Sequence, residues 1–198
     1  IFFYFRKKFN SKYILPVSQC RVGIYLSIKA IIKRTNKKEI LLSPFTVYEI
    51  VNMVKYAGGI PKFIDLNYPS AKINVKNTLK KLNSNTAAVI FTQYHSYNNN
   101  IKYLSKVLKK KKIYLVEDNA ITYGCEKKTD YIYSDVKVYS FNITKFVSCI
   151  AGGLINVTKD KNLFNEIKNQ ELELSNKNFF FLIKKFLRAI KIGFLTNK

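Results

Sequence analysis

The sequence predicts an α/β fold of three layers, a mostly parallel sheet between helices, and two observations carry that expectation. From about residue 20 to residue 170, short apolar runs rich in β-branched residues alternate with segments whose apolar residues recur every three to four positions. Gly, Asn, Asp and Pro separate one segment from the next. Strands that alternate with helices pair in parallel, because each helix serves as the crossover back to the same end of the sheet.

The chain opens on an apolar patch, Ile1 to Phe5, followed by Arg6-Lys7-Lys8, and this patch is too short for the apolar core of a signal peptide. A polar loop at Ser18-Gln19-Cys20 enters a helix over 21–35, and Glu39–Leu42 follows as a strand. A helix over 46–57 stops at Gly58-Gly59; the strand Pro61–Asp65 then runs into the turn Asn67-Tyr68-Pro69. Next come a helix over 75–83 and the strand Ala87–Thr92. Asn98-Asn99-Asn100 precedes a helix over 100–110, whose basic end, Lys109 to Lys112, suits the negative pole of the helix dipole. The strand Lys112–Val116 leads to Glu117-Asp118 at its end, and Val136–Phe141, Gly153–Val157 and a helix over 160–171 complete the series.

The tail has a different pattern. Phe179, Leu182, Ile183, Phe186, Leu187, Ile190 and Phe194 recur at helical spacing, with Lys184, Lys185, Arg188 and Lys191 on the other face and Asn178 as N-cap. Two readings stay open for this basic amphipathic segment: packing on a domain beyond this chain, or interfacial membrane contact through 178–195.

At 198 residues and 47% hydrophobic content the chain can bury one sizeable core. It does not begin with Met and it opens inside an apolar patch, so we expect a fragment of a longer protein. Cys20, Cys125 and Cys149 show no CxxC spacing and His95 is the single histidine, which points to a reduced, metal-free, cytoplasmic protein. The net charge of +23 would ordinarily suggest a polyanion as partner. However, Lys, Asn and Ile make up 74 residues and Arg only 4, a bias that A+T-rich coding produces by itself, and nucleic-acid surfaces favour arginine. Dedicated nucleic-acid binding is therefore not expected, whereas attraction of a phosphorylated small molecule is.

Two stretches end at strand C-termini, where open α/β sheets bind their ligands: "IYLVEDNA" closes on Asp118, and "VKVYSFNITK" runs from strand into loop between Ser140 and Lys145. An acid and a lysine carried there can meet across one bound molecule. The helix that begins near Cys20 and Arg21 offers free N–H groups to a phosphate.

These segments, in this order, resemble the pyridoxal-phosphate-dependent sugar aminotransferases of the DegT/DnrJ/EryC1/StrS family, over about residues 18 to 170. The resemblance rests on "ILLSPFTVYEIVNMVKYAGGIPKFIDLN" (40–67), "AAVIFTQYHSY" (87–97), "YLVEDNAITYG" (114–124) and "SDVKVYSFNITK" with Gly152-Gly153. It implies an aspartate-aminotransferase-like large domain with pyridoxal 5'-phosphate (PLP) as cofactor. By the same resemblance Lys145 bonds the cofactor's aldehyde and shuttles the proton between substrate and cofactor carbons, Asp118 pairs with the pyridine nitrogen, and Ser140, Cys20 and Arg21 hold the phosphate. Val47 falls where many members stack an aromatic on the ring. Ile121 falls where the family commonly places Gln or His against the phenolic oxygen, and it cannot make that bond.

The implied substrates are a nucleotide-linked keto-sugar and an amino-acid donor, glutamate by family habit, in surface polysaccharide synthesis by a homodimer. Sugar dehydration within the same family, or a non-catalytic descendant of the fold, are the alternatives. Family members are about twice as long, so residues 1–171 are expected to form a cofactor-binding large domain lacking its N-terminal part, and 172–198 to lead into a smaller C-terminal domain.

Overall fold

The computed structural model describes residues 2–94, 101–125, 132–145, 147–149, 151–174 and 187. In chain order the elements are α1 (Phe2–Phe9), β1 (Tyr13–Val17), α2 (Cys20–Thr35), β2 (Glu39–Leu42), α3 (Tyr48–Tyr56), β3 (Ile60–Phe63), the short β4 (Leu66–Asn67) and β5 (Lys72–Ile73), α4 (Val75–Lys81), β6 (Thr86–Thr92), α5 (Ile101–Lys110), β7 (Tyr114–Asn119), β8 (Val136–Ser140), β9 (Gly153–Val157) and α6 (Lys161–Leu172). A 7-stranded sheet has the order β1-β9-β8-β7-β6-β2-β3. The pairs from β8 through β3 are all parallel, while β9 runs antiparallel to both β8 and β1. The mostly parallel three-layer architecture expected from the sequence is the one observed.

Alternation along the strands sorts side chains between two helical layers. Ile40 and Leu42 of β2, Ala88 and Ile90 of β6, Val136 and Val138 of β8, and Ile155 and Val157 of β9 pack on α2, α3 and α6. The intervening Leu41, Val89, Phe91 and Leu115 pack under α5, with Ile101, Leu104 and Leu108. Phe9 of α1, Tyr139, Phe141 and Leu154 form an aromatic patch on the same side of the sheet, in which the rings of Phe9 and Tyr139 stack with centroids 4.9 Å apart. α2 is the central helix, and it lies close to the sheet because Gly23 carries no side chain: a Cβ there would stand 2.7 Å from Val138 Cγ1.

Three sequence expectations need correction. β1 and α1 precede the first expected element; Pro16 hides β1, yet β1 is an edge strand, where the missing N–H is tolerated. The strand expected at Lys112–Val116 starts at Tyr114 and runs through Glu117 and Asp118 to Asn119, because those polar side chains have partners inside the fold. The helix expected from residue 46 begins at Tyr48, leaving Val47 as its extended N-cap. The Asn98–Asn100 punctuation, His95 and the amphipathic tail at 178–195 lie outside the described residues, apart from Leu187.

Candidate functional site

At the carboxyl ends of the parallel strands lies a cavity of about 190 Å³. Its wall comes from the start of α2 (Gln19, Cys20, Arg21), the start of α3 (Val47, Glu49, Ile50), the end of β7 (Asp118, Ala120), and the end of β8 with the loop beyond it (Ser140, Asn142, Thr144, Lys145), closed by Gly152. Six of the seven residues singled out from the sequence therefore share one cavity. Ile121 does not line it; with Tyr123 and Val147 it lines an adjoining cavity of about 70 Å³ that also touches Ser140 and Lys145.

Each position has a local cause. Gln19 is extended (φ −158°, ψ 153°) and gives α2 no side-chain cap; its carbonyl takes the Val22 and Gly23 N–H groups, which leaves the N–H groups of Cys20 and Arg21, both on the cavity wall, without a capping side chain. β9 begins directly against that helix start: a Cβ on Gly153 would stand 2.6 Å from the Cys20 nitrogen and 2.7 Å from the Gln19 carbonyl carbon. Only glycine fits, which explains the second residue of the Gly152-Gly153 pair. The loop after β8 folds back on itself, with Phe141 N–H donating to Gly152 O (3.0 Å) and Cys149 N–H to Phe141 O (2.9 Å). Within it Lys145 N–H donates to Asn142 O at 2.9 Å, a turn that sets the half-buried Lys145 on the cavity wall.

Asp118 is 4% exposed. Its Oδ1 accepts the Ala120 N–H at 3.1 Å and receives the Cys20 thiol at 3.9 Å. Burial pushes the Asp118 carboxyl above its ordinary range, opposed by the Ala120 N–H, the charge of Lys145 and the Cys20 thiol. Burial also pushes the Cys20 thiol well up, and the neighbouring Asp118 adds to that, so the thiol is protonated at neutral pH. Arg21, which the resemblance assigns to a phosphate, donates from Nη1 to Glu49 Oε1 at 3.2 Å, both residues lining the cavity. Val47 is exposed at the rim, beside exposed Phe45, whose ring lies 5.0 Å from that of Tyr94.

Sequence reasoning did not single out Glu49, Asn142 or Thr144. Asn142 and Thr144 sit within the same "SFNITK" stretch and were legible as its loop; Glu49 gave no signal, because an acid in a first helical turn is ordinary capping chemistry.

A buried carboxylate can hold a cationic nitrogen, a lysine in the same cavity can attack a carbonyl in its neutral form, and a helix start can hold a phosphate. These three demands fit PLP, which carries a ring nitrogen, an aldehyde and a phosphate. Asp118, Lys145 and the α2 start with Ser140 are the residues present to meet them.

Comparison with known proteins gives the same direction. GDP-perosamine synthase of Escherichia coli O157:H7 is 24% identical over 163 residues, covering 81% of this chain and 44% of that protein. The fold is shared with an aminotransferase of pseudaminic acid biosynthesis, PseC of Helicobacter pylori (TM-score 0.77, 19% identity, 89% of this chain and 48% of that one). It is shared as well with an E. coli GDP-4-keto-6-deoxy-D-mannose-3-dehydratase holding hydrated PLP (TM-score 0.69, 22% identity, 82% and 43%). The chain spans less than half the length of the curated relatives it matches. Because the family model matches residues 4–179, the chain belongs to the DegT/DnrJ/EryC1/StrS aminotransferase family.

Proposed function

We propose that this chain is the cofactor-binding part of a PLP-dependent aminotransferase that moves an amino group from an amino acid, glutamate by family habit, to a nucleotide-linked keto-sugar for surface polysaccharide. The observation that carries the reading is the convergence of Asp118 and Lys145 on one cavity beside the start of α2. PLP, when bound, supplies an electron sink for the electrons left behind when a proton departs from the carbon bearing the amino group.

This chain's residues supply the rest. The Asp118 carboxylate, fixed by the Ala120 N–H, binds the ring nitrogen and keeps it protonated. Lys145 would hold the aldehyde end of the cofactor, and its Nζ would carry the proton between the substrate and cofactor carbons. The α2 start, Ser140 and Arg21 bind the phosphate and so orient the ring. Arg21 must first share or release Glu49. Val47, exposed on the cavity wall, would cover a ring face less fully than an aromatic, and apolar Ile121, in the adjoining cavity, has no group to hydrogen-bond the ring's oxygen. Residues beyond this chain, a second copy included, complete the sugar site, in a cytoplasmic homodimer; residues 172–198 lead into the smaller domain.

Sugar dehydration is the second reading, favoured by the dehydratase among the structural neighbours. The test is to incubate the intact protein, loaded with PLP, with GDP-4-keto-6-deoxymannose and ¹⁵N-labelled glutamate. Transfer of ¹⁵N to the sugar, read by mass spectrometry, supports the proposal. Loss of water from the sugar without retained nitrogen supports dehydration, and neither change, with this sugar or with keto-sugars on other nucleoside diphosphates, overturns both.

A further inference from the structure

The chain has 12 acidic residues against a net charge of +23, and two of them, Asp118 and Glu49, line the candidate cavity. Its cationic lining is equally small, Arg21 and Lys145, so the formal charges of the wall cancel. Asp118 has a use there, as partner of a ring nitrogen. Glu49 has none in the reading above, and its charge opposes the phosphate that the cofactor carries.

The surroundings of Glu49 show what its carboxylate does. Arg21 stands in the first turn of α2, where the positive pole of the helix disfavours a cation unless an anion is close. The same turn leaves the Cys20 and Arg21 N–H groups without a capping side chain, because Gln19 supplies none and its carbonyl takes the Val22 and Gly23 N–H groups. Glu49 stands in the first turn of α3, whose positive pole favours a carboxylate whether or not Arg21 is engaged. Arg21 Nη1 donates to Glu49 Oε1 at 3.2 Å, and the two side chains are 42% and 24% exposed. A pair so open to water is held weakly, and a phosphate dianion, with more charge and more acceptor oxygens, can take the guanidinium from it.

We propose that Glu49 is an internal anion at the phosphate end of the cavity: in the cofactor-free protein its carboxylate holds Arg21, and an incoming phosphate must displace it from that guanidinium. Glu49 thereby sets how tightly the phosphate end binds, and it keeps a cation at a helix start compensated while the cavity is empty. This role rests on the reading of Arg21 and the α2 start as the phosphate end, but its first test needs no PLP.

The intact protein, freed of cofactor, is titrated by calorimetry with inorganic phosphate at pH 8, and heat that persists in Arg21→Gln is subtracted as binding to surface lysines. Glu49→Gln keeps the shape of the side chain and removes its charge, so phosphate should bind more tightly, on the order of fivefold for a pair partly open to solvent. The gain should largely vanish when Arg21→Gln is added, because no guanidinium is then left to release. Weaker or unchanged binding in Glu49→Gln, an equal gain without Arg21, or no Arg21-dependent heat in any variant would overturn the proposal. A second arm compares PLP with pyridoxal, which lacks the phosphate: Glu49→Gln should raise the affinity for PLP and leave that for pyridoxal unchanged, and an equal rise for both would overturn it as well. If Glu49 fails these tests while PLP still attaches to the parent, the aminotransferase reading stands; if PLP attaches to no variant, that reading fails and the phosphate titration alone decides the role of Glu49.

Discussion

The thiol of Cys20 lies 3.9 Å from Oδ1 of Asp118, although 98 residues separate the two. This contact joins the start of α2 to the end of β7, and so brings an uncapped helix start and a buried carboxylate into one site. It also makes the thiol a reporter of the site. With its titration pushed up by burial and by Asp118, Cys20 should resist alkylation at pH 8, while the exposed Cys125 and Cys149 react. Peptide mass spectrometry after brief iodoacetamide treatment checks the order, and early labelling of Cys20 would show that the α2 start is open.

Asp118 itself gives a prediction about stability. Because burial raises its carboxyl above the unfolded value, ionisation costs folding free energy: the contribution is favourable at low pH and is lost as pH rises through the folded-state value. Without cofactor, Asp118→Asn should therefore be more stable than the parent at neutral pH, and the advantage should vanish in acid below the ordinary carboxylate range. Urea unfolding at several pH values measures this.

The same substitution should harm turnover while helping the fold. Asparagine can still accept the Ala120 N–H, but it cannot hold the ring nitrogen protonated. In the intact protein we expect PLP to attach while turnover falls on the order of a hundredfold, equivalent to about 2.7 kcal/mol of transition-state stabilisation. Steady-state kinetics of Asp118→Asn beside the parent supply the comparison.

Gly153→Ala probes the junction of β9 with α2. Its Cβ would meet backbone atoms at 2.6 and 2.7 Å, which a side-chain rotation cannot relieve. Overpacking of this kind costs ~1–3 kcal/mol, and here it also displaces the helix start, so melting temperature and PLP affinity should fall together. An unchanged affinity would separate the helix start from phosphate binding.

Much of this was legible in the sequence because local pattern and tertiary role agree there. The alternation of Ile40, Leu41 and Leu42, and of Val89, Ile90 and Phe91, reads directly as strands buried on both faces. The "VEDNA" and "SFNITK" stretches pointed to Asp118 and Lys145, and the two do share a cavity. What stayed hidden depended on partners far away in the chain. The continuation of β7 through Glu117 relies on Lys137, Gln93 and Ser134, and no local rule anticipates a buried lysine on a central strand. The Arg21–Glu49 pair is likewise invisible before α2 and α3 are packed together.

Whether Lys145 is the residue that bonds the cofactor is the central claim, and one measurement addresses it most directly. The intact protein is loaded with PLP, reduced with borohydride, digested, and its peptides mapped by mass spectrometry. A pyridoxyl group found on the peptide containing Lys145, and lost in Lys145→Ala, is the result predicted. Label spread over many of the chain's lysines, or concentrated on another one, would contradict it.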